Sequence, residues 1–157
     1  DDQNQSICIN TGSKDKWQSV RSRFCFSAEK ARKHYFDVQL NNFSTTPNSW
    51  KAIVGVVPHS FTCSGNRQWV GAGKSWGYIG GTGGKCYHQA ASLPYGVGYG
   101  ENDVIGCELD FDLNTVEFFH NGISQGVAFD NLTGPVYAAV SLTATNSSVR
   151  LKTVWSR

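Results

Sequence analysis

Residues 73–77 have the spacing of a catalytic nucleophile motif. They read Gly-Lys-Ser-Trp-Gly, the Gly-x-Ser-x-Gly pattern that exposes a serine hydroxyl at a sharp turn from a strand into a helix. Residues 78–84 follow with four glycines and cannot open a stable helix. The Gly-Lys-Ser triplet also resembles the end of a phosphate-binding loop, but the first glycine of that loop would fall at Gln68. We therefore expect a strand that buries Trp76, and no nucleophile.

Carboxylates, histidines and cysteines are the other groups that could carry chemistry. Glu108, Asp110 and Asp112 alternate along one predicted strand, which a paired-carboxylate glycosidase could use, but we expect a solvent-exposed sheet face. The four histidines and five cysteines are dispersed and lack the paired spacing of a zinc site. We predict no enzyme, no metal and no cofactor. The cysteines are interpreted as reduced thiols, with Cys25 and Cys107 buried in strands.

Alternating apolar residues predict the elements that position these groups. Every second residue is apolar in 105–111, and the same alternation recurs in 116–120. Asn121-Gly122 supplies the positive φ angles of a tight hairpin turn. Short strands without helices predict an all-β fold of two packed antiparallel sheets, a β-sandwich. The candidate strands are 7–10, 20–26, 34–40, 52–57, 69–71, 75–79, 84–87, 104–111, 116–120, 127–129, 136–142 and 149–154.

Length and composition limit the classes of function. The 157 residues fit one domain, and a net charge of +2 is too small to indicate nucleic acid as a partner. No apolar run approaches the roughly 18 residues of a membrane span. Because the chain starts at Asp1 and contains no Met, we expect a fragment of a longer protein. Reduced thiols favour a cytoplasmic or nuclear location, but four Asn-x-Ser/Thr sequons, against about two expected by chance, leave secretion open.

Several motifs, in order along the chain, resemble the SPRY domain. The resemblance covers roughly residues 20–152 and implies one SPRY-type, concanavalin-like sandwich over 1–157, which we expect to be monomeric. It also implies a non-catalytic protein–protein interaction module. The matching motifs are Tyr-Phe-Asp-Val at 35–38, Val-Gly-Val at 54–56, Asp-Val-Ile-Gly-Cys at 103–107, Leu-Asp at 109–110, Phe-Phe at 118–119, Asn-Gly at 121–122 and Gly-Val-Ala-Phe at 126–129.

The loops at one end of the sandwich are the expected binding surface, because a rigid scaffold commonly presents its ligand surface on loops. Residues 67–71, Arg-Gln-Trp-Val-Gly, resemble the segment that lines the peptide pocket in SPRY domains of SOCS-box adaptor proteins. The other wall of that pocket aligns with residues 143–145. The resemblance therefore implies recognition of a short peptide or loop of a protein partner by Arg67, Trp69, Val70, Gly71, Thr143, Ala144 and Thr145.

Two functions follow from this interpretation. The first is an adaptor that recruits a protein, commonly a substrate for a ubiquitin ligase. The alternative is a secreted lectin-like or effector domain that uses similar loops to bind a sugar or a host protein. Free thiols favour the adaptor, whereas glycans at Asn42 or Asn131 would favour the secreted domain.

Overall fold

Eleven strands in two antiparallel sheets form the fold, which the computed structural model describes for residues 7–9, 17–41, 50–63, 68–88, 92–143 and 145–157. These residues contain no helix, and the predicted all-β sandwich is confirmed. The strands are β1 (Ile7–Ile9), β2 (Gln18–Arg21), β3 (Lys33–Asn41), β4 (Ala52–Pro58), β5 (Trp76–Ile79), β6 (Lys85–Tyr87), β7 (Val104–Asp110), β8 (Thr115–His120), β9 (Ile123–Phe129), β10 (Val136–Leu142) and β11 (Ser148–Ser156).

The two sheets differ in size and strand order. The larger has six strands in the order β1-β11-β3-β7-β8-β9, and the smaller has five in the order β2-β10-β4-β5-β6. The alternation predicted for 105–111 and 116–120 places β7 beside β8, with Cys107 opposite Phe118. The main core lies between the sheets, and the predicted core residues Leu109, Phe118 and Trp76 are confirmed as fully buried.

A second, smaller apolar cluster covers the outer face of the five-stranded sheet. Val54 and Val56 of β4 face the main core, whereas Ile53 and Val57 point the other way and pack against Val70. A strand that is buried on both faces has a nearly continuous apolar sequence. The segment Ala-Ile-Val-Gly-Val-Val at 52–57 has this composition, and each of its residues is buried.

The strand predicted over 127–129 begins earlier in the structure, at Ile123, and two other predicted strands are wrong. Residues 69–71 form a turn, in which the Ala72 N–H donates to the Trp69 carbonyl over 2.9 Å. The strand predicted over 20–26 ends at Arg21, and only Phe26 makes an isolated bridge, to Val136. Residues 69–71 and 22–26 lie where the chain leaves or crosses the sheet. A short run of apolar residues there was not sufficient to predict the backbone conformation.

The expectation that Glu108, Asp110 and Asp112 lie on a solvent-exposed face is wrong for Asp110, whose residue surface is only 4% exposed. Its carboxylate pairs with Lys33 Nζ at 2.9 Å and accepts the N–H groups of Asp112 and Leu113, which close the turn after β7. Burial acts to raise the pKa of Asp110, but these hydrogen bonds outweigh it and hold the pKa below its usual value.

Four cysteines can be described, and all are free thiols. Cys107 is buried as predicted, whereas Cys25 is only half-buried. Cys86 is also buried, and Cys63 is exposed on the segment after β4. The described thiols therefore range from buried to exposed.

Candidate functional site

A groove of about 400 Å³ lies beside the end of β4, where the second apolar cluster meets solvent. Its volume is within the range of about 300–1,000 Å³ that is common for ligand pockets in proteins. One wall is the segment that follows β4, and the other is the segment that precedes β5. The lining residues are Pro58, Ser60, Phe61, Gln68, Trp69, Ala72, Gly73 and Lys74.

Gln68 connects the two walls of the groove. Its side-chain Oε1 accepts hydrogen bonds from the Thr62 N–H at 3.2 Å and the Thr62 hydroxyl at 2.6 Å. Its carbonyl oxygen accepts a hydrogen bond from the Ser19 hydroxyl of β2 at 2.8 Å. Gln68 therefore ties the second wall of the groove both to the segment after β4 and to β2.

Val70 anchors the second wall, residues 68–74, directly on the sheet. It is fully buried, and its N–H donates to the Ser141 hydroxyl of β10 over 2.9 Å. Beneath it, Gly55 of β4 pairs with Gly77 of β5. A Cβ atom at Gly55 would lie 2.9 Å from Val70 Cγ1, so the absence of side chains at this pair opens the space that Val70 fills.

Gly71 and Ser75 fix the shape of the turn that follows. Gly71 has a φ of +99°, and a Cβ there would lie 2.2 Å from Cys86 Sγ. The buried Ser75 hydroxyl accepts the Gly71 N–H and donates to the Ala72 carbonyl, each over 2.7 Å. The serine of the Gly-x-Ser-x-Gly motif therefore closes a loop before a strand, and no helix follows it.

The structure separates the predicted partner-binding residues of 67–71 into two kinds. Trp69 lines the groove and is half-buried against the second cluster. Val70 and Gly71 are buried beneath the groove, where they support Trp69 and present no side chain to a partner. Arg67 lies outside the described residues.

The other predicted wall, residues 143–145, is at a different place on the sheet. Thr143 is buried and its hydroxyl donates to the Lys51 carbonyl over 3.1 Å, at the beginning of β4. Pro58, which lines the groove, is at the opposite end of this seven-residue strand, a distance of about 20 Å. Thr145 is exposed, and Ala144 lies outside the described residues.

Of the eight lining residues, the sequence analysis named only Trp69 as a partner-binding residue, and Phe61 and Lys74 are among those it missed. Phe61 forms the first wall, although its segment reads as a long polar connection, and Lys74 was considered only within the nucleophile motif. A single aromatic residue in an otherwise polar loop was the signal that could have identified Phe61. Nothing local indicated that Lys74 would face the same groove.

Three other aromatic residues have structural roles. Tyr99 is buried, and its hydroxyl donates to the Tyr78 carbonyl at 2.5 Å while accepting the Val54 N–H. Burial raises the pKa of Tyr99 well above its ordinary value. Trp17 and Trp50 are half-buried against the second cluster. None of these three residues lines the groove, whereas Trp69 does.

No group of three or more His, Cys, Asp and Glu side chains is placed to hold a metal ion in the described part of the chain. Beneath the groove, burial raises the pKa of the Cys86 thiol to about 12, so this cysteine is not a nucleophile at neutral pH. The described segments also contain no helix of the length and apolarity that crossing a bilayer requires.

An antiparallel sandwich that carries a surface groove with hydrogen-bonded walls has an architecture that suits a binding module. A profile of the SPRY domain family matches residues 33–153, and the chain belongs to this family. SPRY domains are generally non-catalytic modules that bind protein partners, so family membership supports protein interaction as the function.

Solved structures show the same fold. A human SPRY domain superposes with a TM-score of 0.72 at 17% sequence identity, covering 94% of this chain and 96% of that one. The SPRY domain of human HERC1 gives 0.68 at 16% identity, with coverages of 96% and 95%. At these identities the likeness concerns the fold alone.

Curated relatives share shorter stretches with this chain. A probable ATP-dependent RNA helicase, ddx1, of Dictyostelium discoideum is 38% identical over 91 residues, which are 56% of this chain and 12% of the relative. The Ran-binding proteins 9/10 homolog of Drosophila melanogaster is 30% identical over 109 residues, 69% of this chain and 11% of the relative. Human Ran-binding protein 9 is 37% identical over 68 residues, 43% of this chain and 9% of the relative. The matched region thus spans about a tenth of the length of these relatives.

Proposed function

We propose that this domain recognises a short peptide or an exposed loop of a protein partner in the groove between residues 58–61 and 68–74, without chemistry on the ligand. The observation that carries the proposal is the position of Trp69. Its ring lines the groove while part of it packs on the second cluster. A partner can therefore bury additional aromatic area against a side chain that is already held in place.

The rigidity of the groove supports this function. Ordering flexible loops and side chains on binding costs free energy, which a preformed site avoids. Here Gln68 and Val70 hold the second wall through hydrogen bonds with three other parts of the chain, at Ser19, Thr62 and Ser141. Aromatic side chains in such fixed positions are the usual hot spots of protein interfaces.

The test is the substitution Trp69→Ala in the domain, with a peptide enriched from a random phage-display library on the wild type as the probe. Truncating an aromatic hot spot typically costs about 2 kcal/mol or more, so calorimetric titration should show affinity reduced about thirtyfold. The matched control is Trp155→Ala. Trp155 is a half-buried tryptophan on the six-stranded sheet, stacked on Tyr35 with ring centroids 5.3 Å apart, and its loss should leave affinity unchanged.

A folded Trp69→Ala domain that binds the peptide as tightly as the wild type would place the site elsewhere. If this variant unfolds, Trp69→Leu keeps apolar contact with the second cluster and removes only the ring. Thr145→Ala tests the separate surface at 143–145 in the same titration. The participation of Arg67, Thr143, Ala144 and Thr145 stays a prediction until then.

Recruitment of a substrate to a ubiquitin ligase is the finer form of this proposal. It requires that the partner captured through Trp69 be ubiquitinated in cells that express the protein, and that Trp69→Ala abolish this modification. The cytoplasmic or nuclear location stays a prediction as well. Glycans found at Asn42 or Asn131 by mass spectrometry would instead favour the secreted, lectin-like alternative.

A further inference from the structure

Acidic residues are absent from two long parts of this sequence. All 12 Asp and Glu residues lie within 1–37 and 101–130, and none occurs in 38–100 or 131–157. The first acid-free stretch contains both walls of the groove, and it carries Lys51, Arg67, Lys74 and Lys85. The net charge of +2 is small, but the acidic residues are distributed very unevenly along the sequence.

The fold places this asymmetry on opposite sheets. The five strands β2, β4, β5, β6 and β10 contain no carboxylate, and their charged side chains are Arg21 and Lys85. The six-stranded sheet contains Asp37, Glu108, Asp110 and Glu117. The ion pairs in the described part of the chain all involve carboxylates of 103–112, on or beside that larger sheet.

One cation lines the groove, and a second lies beside its first wall. Lys74 lines the groove and is exposed. Arg21 Nη1 donates to the His59 carbonyl at 3.0 Å, between the lining residues Pro58 and Ser60, and its guanidinium lies 4.6 Å from the centroid of the Tyr137 ring. Within the described segments neither cation is paired with a carboxylate, so each can attract the charge of a ligand.

We infer that the partner segment is an acidic peptide. An apolar side chain of the peptide packs between Phe61 and Trp69, and neighbouring carboxylates face Lys74 and Arg21. This inference rests on the proposed function and specifies its ligand. Complementary charge accelerates association and excludes basic partners, while the apolar contact supplies most of the affinity.

A nucleic acid fits these features less well. Its affinity derives from many phosphate contacts along an extended basic surface. The groove has one lining cation, Lys74, with Arg21 beside its first wall, and its volume of about 400 Å³ suits one or two side chains. The carboxylates of the opposite sheet would also repel a polyanion that extended around the domain.

The test begins with the peptides that the wild-type domain enriches from a random phage-display library, which should carry net negative charge beside an aromatic or aliphatic residue. The best sequence is then compared with a synthetic version in which each Asp and Glu is replaced by Asn and Gln. Fluorescence anisotropy should show the amide version binding about tenfold more weakly at 0.15 M salt, because it loses its charge contacts.

Charge reversal at the groove gives the second measurement. Lys74→Glu should weaken binding of the acidic peptide about three- to thirtyfold, since one attraction becomes a repulsion. Lys152→Glu makes the same charge change at an exposed position of β11, and it should alter affinity less than about twofold because salt screens charges beyond about 8 Å. The effect of Lys74→Glu should also shrink at 0.5 M salt.

Selection of neutral or basic peptides, or equal binding of the acidic and amide versions, would overturn the inference. The proposed function would still stand in that case if Trp69→Ala abolished binding of those peptides. Failure to select any peptide would overturn both. If a single-stranded RNA 12-mer binds more tightly than the acidic peptide and displaces it, the surface around Lys74 and Arg21 binds nucleic acid, and the inference of an acidic peptide ligand is wrong.

Discussion

Replacing Gly55 with alanine should displace the second wall of the groove from the five-stranded sheet. The new Cβ would lie 1.9 Å from the Trp76 carbonyl oxygen and 2.9 Å from Val70 Cγ1. The carbonyl belongs to the backbone of the adjacent strand, which cannot rotate away as a side chain could. Strands β4 and β5 must therefore separate locally, and Val70 must leave its place above the Gly55–Gly77 pair.

The expected cost follows from three contributions. Overpacking a close contact costs about 1–3 kcal/mol, and exposing Val70 forfeits up to about 1.5–3 kcal/mol of apolar burial. Alanine also lowers the conformational entropy of the unfolded chain, which offsets about 0.4–1 kcal/mol of this loss in stability. The free energy of unfolding should thus fall by about 2–5 kcal/mol. For a chain of 157 residues this lowers the melting temperature by about 5–20 °C.

Urea unfolding followed by tryptophan fluorescence measures this change, and Gly100→Ala is the matched control. No atom lies within 4 Å of the Cβ position at Gly100, so this variant should match the wild type or be slightly more stable. Equal unfolding midpoints for the wild type and Gly55→Ala would refute the view that the glycine pair holds Val70. An equal loss of stability in Gly100→Ala would show that replacing a glycine destabilises the backbone generally, and that the contact of the new Cβ with Trp76 and Val70 is not the cause.

Three further outcomes are expected. Phe118→Ala should lower the free energy of unfolding by about 3–5 kcal/mol, because its ring is fully buried in the main core; an unchanged denaturant midpoint would contradict this. Burial raises the pKa of Asp110, but the hydrogen bond from Lys33 and two backbone N–H groups lower it overall. The charged carboxylate therefore stabilises the fold above its unfolded pKa of about 3.9, and this stabilisation is lost as the pH falls through its pKa in the folded protein. The difference in free energy of unfolding between the wild type and Asp110→Asn should narrow below about pH 4. A difference that does not change with pH would be evidence against the charged contact. Alkylation mapped by mass spectrometry should modify exposed Cys63 in the native protein but buried Cys86 only after unfolding, and labelling of both at one rate would contradict the described packing.

Much of the sandwich was predictable because its signals are local. The side-chain period of a strand is two residues, so the apolar positions of 105–111 and 116–120 identify both the strands and their buried faces. Asn121-Gly122 marks the hairpin, and both residues have positive φ in the structure. The same locality explains the failure at 69–71, where three residues carry too short a pattern to distinguish a strand from a turn.

The candidate site was only partly predictable because it depends on packing between distant segments. The sequence indicated Trp69 through the resemblance to other SPRY domains, but Phe61 and Lys74 join it only because the chain returns over the outer face of β4. Thr143 and Thr145 follow β10, whose last residue pairs with the first residue of β4, and this register places them far from the groove.

The sequence by itself determined most of the strands, their apolar faces, the hairpin and the absence of carboxylates from 38–100, since each of these depends on residue types a few positions apart. Only the tertiary structure decided that Val70 fills the space above Gly55 and Gly77, and that Arg21 of β2 meets the segment after β4. The physical reason is that such contacts join residues far apart in the chain, and their energy depends on strand register and close packing, which no local pattern encodes.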